Sequence, residues 1–379
     1  MRAAIEASPD IASEPSTRTA SPIAEFLIVG GATLLLFPIS WWLRAWIGLD
    51  AAELAVGFLF FHAAHVLNDP HFSVTYFLFY EDVRRRVLGP DIPLAQRIRY
   101  VLAGFVAPIV LVSWAGGAIA LGSAQALGWM VQLMFLLVGW HYVKQAFGVL
   151  TVLSARRGVR FTTVERRVVL AHCYAAWAFA WSNPATKAGE FVEKGVIYWA
   201  IERPRALEIG AGIALALSTV ALVVILVSRW RREGAWMPPP PLVTFLITVW
   251  VWTIGSRVDP LLQYAIPALH SIQYFYFVWL LKRNQARAYE GPPHFERPVG
   301  ARLAMLALSA LALGWLLFHG APSVLDGALV DAGSGDRLGA TPFFAAFYVV
   351  VNIHHFVMDY VIWRRENPAT RWLHDDARA

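Results

Sequence analysis

The chain has 379 residues, of which 58% are hydrophobic and only 15% charged, with a formal net charge of +6. A water-soluble domain is nearer about a quarter charged, so this composition excludes an ordinary soluble globule and points to a surface facing lipid. The pI of about 9.5 does not indicate a nucleic-acid partner, because the basic residues fall in short clusters between apolar runs, as in loops held on the cytoplasmic side of a membrane.

In chain order, residues 1–22 are polar and rich in Ser, Thr, Pro and Ala. They lack the apolar core and small-residue cleavage site of a secretory signal, and are expected to form a disordered cytoplasmic tail. A spanning helix needs about 20 mainly apolar residues. That criterion predicts about ten spans, near 23–45, 51–68, 98–121, 126–153, 167–183, 207–229, 241–256, 262–281, 301–319 and 341–363. Segment 71–82 follows Asp69-Pro70, which disfavours a continuing helix, and reads as a kinked extension of the second span or an interfacial helix. Residues 23–365 form one all-α transmembrane domain in this reading, and 366–379 a second cytoplasmic tail. If the spans alternate, 24 of the 32 Lys and Arg residues share one side, which predicts that both termini are cytoplasmic. A multi-pass protein of the bacterial inner (plasma) membrane is the expected setting, with the lipid bilayer as its first partner.

The single cysteine, Cys173, lies in an apolar run and excludes an internal disulfide, an Fe–S cluster or a CxxC zinc site. Eleven histidines are more informative. His294, His319 and His374 fall in loops, at a span end or in the tail, and His172 reads as a helix-packing residue. His62, His65, His71, His141, His270, His354 and His355 lie in four segments, at a depth where ionisable groups are costly and face the bundle interior.

Each has polar company. His62 and His65 share a helix face in FHAAHVLNDPH, with Asp69 four residues further on. His141, Lys144 and Gln145 share a face, as do His270, Gln273 and Tyr274. Asn352, His355 and Asp359 form an i, i+3, i+7 stripe, from which His354 projects about 100° away. A metal-bound imidazole binds through one nitrogen and donates through the other to a carboxylate, amide or carbonyl. The expected ligands are therefore His62, His65, His141, His270, His354 and His355, with His71 in reserve. Asp69, Asp359, Gln145, Gln273 and Asn352 ligate or orient them, and Lys144 is a snorkelling side chain, an ion partner of Asp69 or Asp359, or an anion anchor. Many imidazoles, supporting carboxylates and no thiolate suit Fe, Zn, Cu or Ni better than Mg or Ca.

The HxxH and HH elements resemble those of the histidine-rich integral-membrane oxygenases, the fatty-acid desaturase and hydroxylase group. His62 and His65 stand where that family has its first box, and His354 and His355 where it has the HH of its last. The spacings differ: the family's first box is HxxxH or HxxxxH, and its HxxHH would put histidine where Val351 stands. The depth of His141 and His270 is architecturally similar to the Brp/Blh-type membrane carotenoid dioxygenases. These resemblances imply non-haem iron, as one or two ions, with O2, a redox partner and a lipid-like or isoprenoid substrate. Aromatic residues around His62 and His270 (Phe58, Phe60, Phe61, and the run from Tyr274 to Phe277) suit a hydrophobic small molecule.

Three other classes stay open. Two mid-span histidines on facing helices can hold a haem for electron transfer. Titrating histidines can serve a transporter or proton relay. Zinc would make the protein a membrane hydrolase. The sequence contains no GxxxxGK[ST], HExxH or GxSxG, which leaves ATP-driven transport and the commonest hydrolase signatures without support.

Overall fold

The computed structural model describes residues 21–183, 188–257, 259–330 and 337–374. The tail expected over 1–22 thus lies outside the described residues except for Ser21 and Pro22, as does 375–379 of the second tail. Each of the ten segments picked out as spans falls on a helix. The first is a bent pair, α1 (Pro22–Phe26) with the π-helical stretch Leu27–Gly31, then α2 (Thr33–Ile47). Gly30 makes the bend possible, since its φ of 131° is closed to residues with a Cβ. The bend frees the Val29 carbonyl, and the Gln273 amide donates to it.

There follow α3 (Leu49–Ala64), α4 (Asn68–Tyr80), the short α5 (Val83–Leu88) and α6 (Leu94–Val101), α7 (Ala107–Ala120) and the 32-residue α8 (Ala124–Ala155). Next comes α9 (Thr163–Ser182), started by a capping box in which Thr162 and Glu165 satisfy each other's backbone N–H. A two-stranded antiparallel hairpin, β1 (Gly189–Glu193) and β2 (Val196–Ala200), interrupts the helices. Lys194 and Gly195 make its turn with positive φ at both positions, the geometry that matches strand twist. The chain continues through α10 (Arg205–Glu233), α11 (Pro239–Leu246) with a π-helical continuation to Ile254, α12 (Pro260–Glu290), α13 (Val299–Trp315), α14 (Ala321–Leu329) and α15 (Pro342–Ile362).

Six of these helical stretches are long and apolar enough to cross a membrane: Leu49–Tyr80, Leu94–Ala120, Ala124–Ala155, Arg205–Glu233, Val299–Leu329 and Pro342–Ile362. The bent pair makes up to seven. Of the ten segments, the others are α9, the shorter apolar Pro239–Ile254 and α12. The last carries polar side chains inward at His270, Ser271 and Gln273. The outer helices present apolar side chains outward, as α10 does with Leu217, Val220 and Val224. Most of α15 is buried, against α4, α7, α8 and α14.

Asp69-Pro70 does not stop a helix here but starts one. The chain turns at residues 65–67 and α4 begins at Asn68, with Pro70 in the first turn, where its missing N–H costs nothing. This places His71 on the buried face of α4.

Candidate metal centre

Four helices, α4, α8, α12 and α15, run in the same direction through the middle of the bundle. Lys282 of α12 bonds Glu81 just beyond α4, and Arg156 just beyond α8 reaches the Leu373 carbonyl after α15, so their C-terminal ends lie together. Each helix contributes one buried histidine: His71, His141, His270 and His355. Taking one ring nitrogen from each, all four donor atoms lie within 4.8 Å of one another. His141 Nε2 is 3.0 Å from His270 Nε2. The ring centroids of His71 lie 4.9 Å from His270 and 4.5 Å from His355, and those of His141 and His355 are 5.0 Å apart.

One helical turn on, a second polar layer underlies the histidines. Thr75, Tyr274 and Asp359 are the i+4 neighbours of His71, His270 and His355. The Tyr274 hydroxyl donates to Asp359 Oδ1 at 2.8 Å and lies 2.7 Å from Thr75 Oγ1. Thr75 Oγ1 also lies 3.3 Å from the His71 backbone carbonyl, to which it can donate. Asp359 Oδ2 in turn sits 3.6 Å from His355 Nε2 and 3.8 Å from His141 Nε2. The carboxylate is thus held at one side of the imidazole group, tethered through its other oxygen.

Both ring nitrogens of His71 and of His355, and Nδ1 of His270, are buried without a hydrogen-bond partner. A buried polar atom left unpaired costs about 1–3 kcal/mol, so five such atoms in one cluster are unfavourable unless something binds there. A cation at the centre would take one nitrogen of each ring, and so relieve one such atom on His71 and one on His355. Four nitrogens about 2.0–2.1 Å from a tetrahedral ion are about 3.4 Å apart; here one pair is at 3.0 Å and all four lie within 4.8 Å, and Asp359 stands beside the group as a candidate fifth donor.

His65, Asp69 and His319 form a second, separate group whose donor atoms also lie within 4.8 Å of one another. His319 Nε2 is 2.9 Å from Asp69 Oδ2, and the His65 and His319 rings stack at 4.3 Å. Both imidazoles are partly exposed.

The structure therefore redistributes the residues expected in one site. His141, His270, His355 and Asp359 come together, and His71 joins them. His65 and Asp69 belong to the second group with His319, a residue set aside above as lying in a loop or at a span end. His62 joins neither; it is exposed, its ring edge-on to Phe58 and Phe61. His354 is turned off the His355 face, with Nδ1 at 3.1 Å from the Tyr76 hydroxyl and Nε2 donating to the Ala103 carbonyl at 2.9 Å. The three amides do not orient imidazoles. Gln145 donates to Gln273 at 2.6 Å, Gln273 to the backbone of Val29, and Asn352 to the Tyr348 carbonyl. Lys144 pairs with neither Asp69 nor Asp359; its ammonium lies 5.6 and 5.9 Å from the Phe147 and Tyr174 ring centroids. The reading of His172 as a packing residue fits its contact with Ser218, at 3.2 Å.

A cavity of about 920 Å³ opens beside the histidines, with His141, Tyr274 and Asp359 at its inner end. Its wall along α8 is the helical stripe His141, Gln145, Gly148, Val152 and Ala155, where small residues leave room. Comparison of the chain with protein-family models, curated proteins and solved structures finds no match.

Proposed function

We propose that this chain is a metal-dependent integral-membrane oxidoreductase, of oxygenase, desaturase or hydroxylase type, acting on a lipid-like molecule that enters through the 920 Å³ cavity. The observation that carries this reading is the convergence of four buried imidazoles from four helices, most of their ring nitrogens unpaired, at the inner end of that cavity. His71, His141, His270 and His355 would hold the ion, and Asp359 would ligate it or set its charge. A structural site is closed by its ligands, whereas a catalytic one keeps an open face; here the side bearing His141 and Asp359 borders the cavity. Imidazole with carboxylate suits non-haem iron, which would supply the reaction with O2 activation.

The chain's own contribution is then to bind and place the substrate. Val149, Val152, Phe277 and Phe356 exclude water and take up hydrocarbon, and Tyr274 fixes the carboxylate orientation through its hydrogen bond. A haem is disfavoured as the group bound, because neighbouring rings of the cluster lie only 4.5–5.0 Å apart, which leaves no room for a macrocycle among them. The full reading includes ten crossings, both termini on the basic cytoplasmic side, and a place in the bacterial inner membrane. Charge asymmetry and the parallel course of the four ligand-bearing helices support it.

Metal analysis of the detergent-purified full chain tests the proposal. Wild type should carry stoichiometric iron, and His71→Ala and His355→Ala should each lose most of it. No stoichiometric metal in wild type would overturn the reading. Zinc without iron would replace it with the hydrolase alternative.

A further inference from the structure

The basic residues at the outer end of the cavity are distributed differently from those around them. At the same end of the bundle, Arg157 pairs with Glu25, Arg229 and Arg232 with Glu165, Lys282 with Glu81 and Arg302 with Glu296. The cavity mouth is lined by Arg160, Arg166, Arg167, Arg364 and Arg365, with Glu366 among them. Among the described residues only Arg364 of these five has a carboxylate within ion-pair distance, Glu366 at 3.4 Å. Retention of positive loops on the cytoplasmic side explains why arginines are at this end of the bundle. It does not explain why those around one opening are left without the acids that neutralise their neighbours.

The interior below the mouth is mainly apolar, with Lys144, Gln145 and Thr151 as polar groups on its α8 wall. From Ala155 back to His141 the α8 wall extends about 21 Å at 1.5 Å per residue. It is joined by Val149, Leu170 and Phe277, and ends at His141 and Asp359. Cationic rim, mainly apolar shaft and polar inner end stand in line, with Lys144 and Gln145 near the inner end. The volume of about 920 Å³ is within the range of pockets that enclose whole small molecules, about 300–1,000 Å³.

We infer that the mouth is an anion subsite and that the cavity's ligand is a single-chain amphiphile bearing a carboxylate or phosphate, its head at the Arg160–Arg166–Arg167–Arg365 rim and its chain directed toward His141. Guanidinium groups suit either anion because their paired N–H donors match two oxygens at once. A neutral polyene or hydrocarbon would fill the shaft but leave the rim unpaired. As a statement about substrate class this rests on the proposed function; as a statement about binding it does not need a metal.

The test is therefore a binding measurement on full-length protein in detergent, both chelator-stripped and iron-loaded, with radiolabelled palmitate, hexadecyl phosphate and hexadecanol as probes. The two anions should bind at least tenfold more tightly than the alcohol, in stripped and loaded protein alike. The triple variant Arg166→Gln/Arg167→Gln/Arg365→Gln should erase that difference while retaining the alcohol's affinity. A control with Arg84→Gln/Arg231→Gln, basic residues that do not line the cavity, should keep it. Equal affinity for alcohol and anion in wild type, or an equal loss in the control, overturns the inference. So does full displacement of palmitate by equimolar inorganic phosphate, which would mean a site for small anions alone. If the chain holds no metal but the tenfold preference persists, the function proposal fails and the subsite stands.

Discussion

His141 and His270 face each other through their Nε2 atoms at 3.0 Å, across the junction of α8 and α12. Two imidazoles so placed are compatible in only two ways: one nitrogen keeps its proton and donates, or both present lone pairs to a shared cation. A single hydrogen bond would leave the ring nitrogens of His71 and His355 without a hydrogen-bond partner among the described residues. A shared cation would engage one nitrogen of each of the four rings. His141→Ala and His270→Ala should therefore behave like His71→Ala, each removing most of the bound metal. A hydrogen-bonded pair would lose stability in either variant with no dependence on metal, which thermal unfolding with and without chelator distinguishes.

The adjacent histidines of α15 should separate cleanly. His355 faces the cluster, whereas His354 is satisfied by Tyr76 and Ala103 on the other side. His354→Ala should leave metal content unchanged and cost about 1–3 kcal/mol of stability from the two groups left unpaired. His355→Ala should strip the metal. Equal metal loss in both would contradict the geometry.

Asp359 is held by Tyr274, which is in turn held by Thr75. Removing a group that orients ligands usually costs about 10–100-fold in metal affinity. Asp359→Asn should fall in or beyond that range, and Tyr274→Phe nearer its lower end, since the carboxylate survives but loses its tether. Competition against a chelator of known affinity gives both numbers, and a Tyr274→Phe variant indistinguishable from wild type would remove the second layer from the account.

How much of this was legible in the sequence follows from the helix periods. Histidines inside apolar segments marked the interior, and the i, i+4 step from His355 to Asp359 was visible at once. The same step recurs from His71 to Thr75 and from His270 to Tyr274, and that repetition could have placed His71 in the site. It was hidden by Pro70, which reads as a helix stop and acts as a helix start. The turn between α3 and α4 at residues 65–67 then puts His62 and His65 out of phase with His71, so the HxxH pair, conspicuous in sequence, lies outside the cluster. His319 could not be found from spacing because its partner Asp69 is 250 positions away and the two meet only where α4 crosses the turn after α13. The amides failed for a different reason: Gln273 serves a backbone carbonyl freed by the bend at Gly30, a demand created by tertiary structure.

The second group gives a prediction opposite to that from the HxxH spacing. His319 and Asp69 already satisfy each other at 2.9 Å, and the two imidazoles are partly exposed. His65→Ala should leave the ion at the four-histidine centre in place, with metal content equal to wild type. A fall by one whole equivalent would instead mean that the His65–Asp69–His319 group holds an ion of its own, and a complete loss would merge the two groups into one site.

At the arginine-rich end, Glu165 is a structural hub whose effect should depend on pH. It accepts from the Thr162 backbone N–H, from Arg229 at 3.1 Å and from Arg232 at 2.9 Å. Burial raises its carboxyl, but the Thr162 and Arg232 hydrogen bonds and the Arg229 charge outweigh that and hold it below the ordinary glutamate value. A carboxyl lowered in the folded state adds stability that is present above the unfolded value, about 4.3, and lost as pH falls through the folded one. Breaking a buried ion pair costs about 3–5 kcal/mol. Glu165→Gln should cost about 3 kcal/mol, the lower end of that range, because Glu233 remains at 2.8 Å to pair with Arg229. In thermal unfolding the gap between wild type and Glu165→Gln should be full at pH 7 and close as the pH is lowered below the ordinary glutamate range. A gap that does not change with pH would show that the side chain acts through its neutral hydrogen bonds alone.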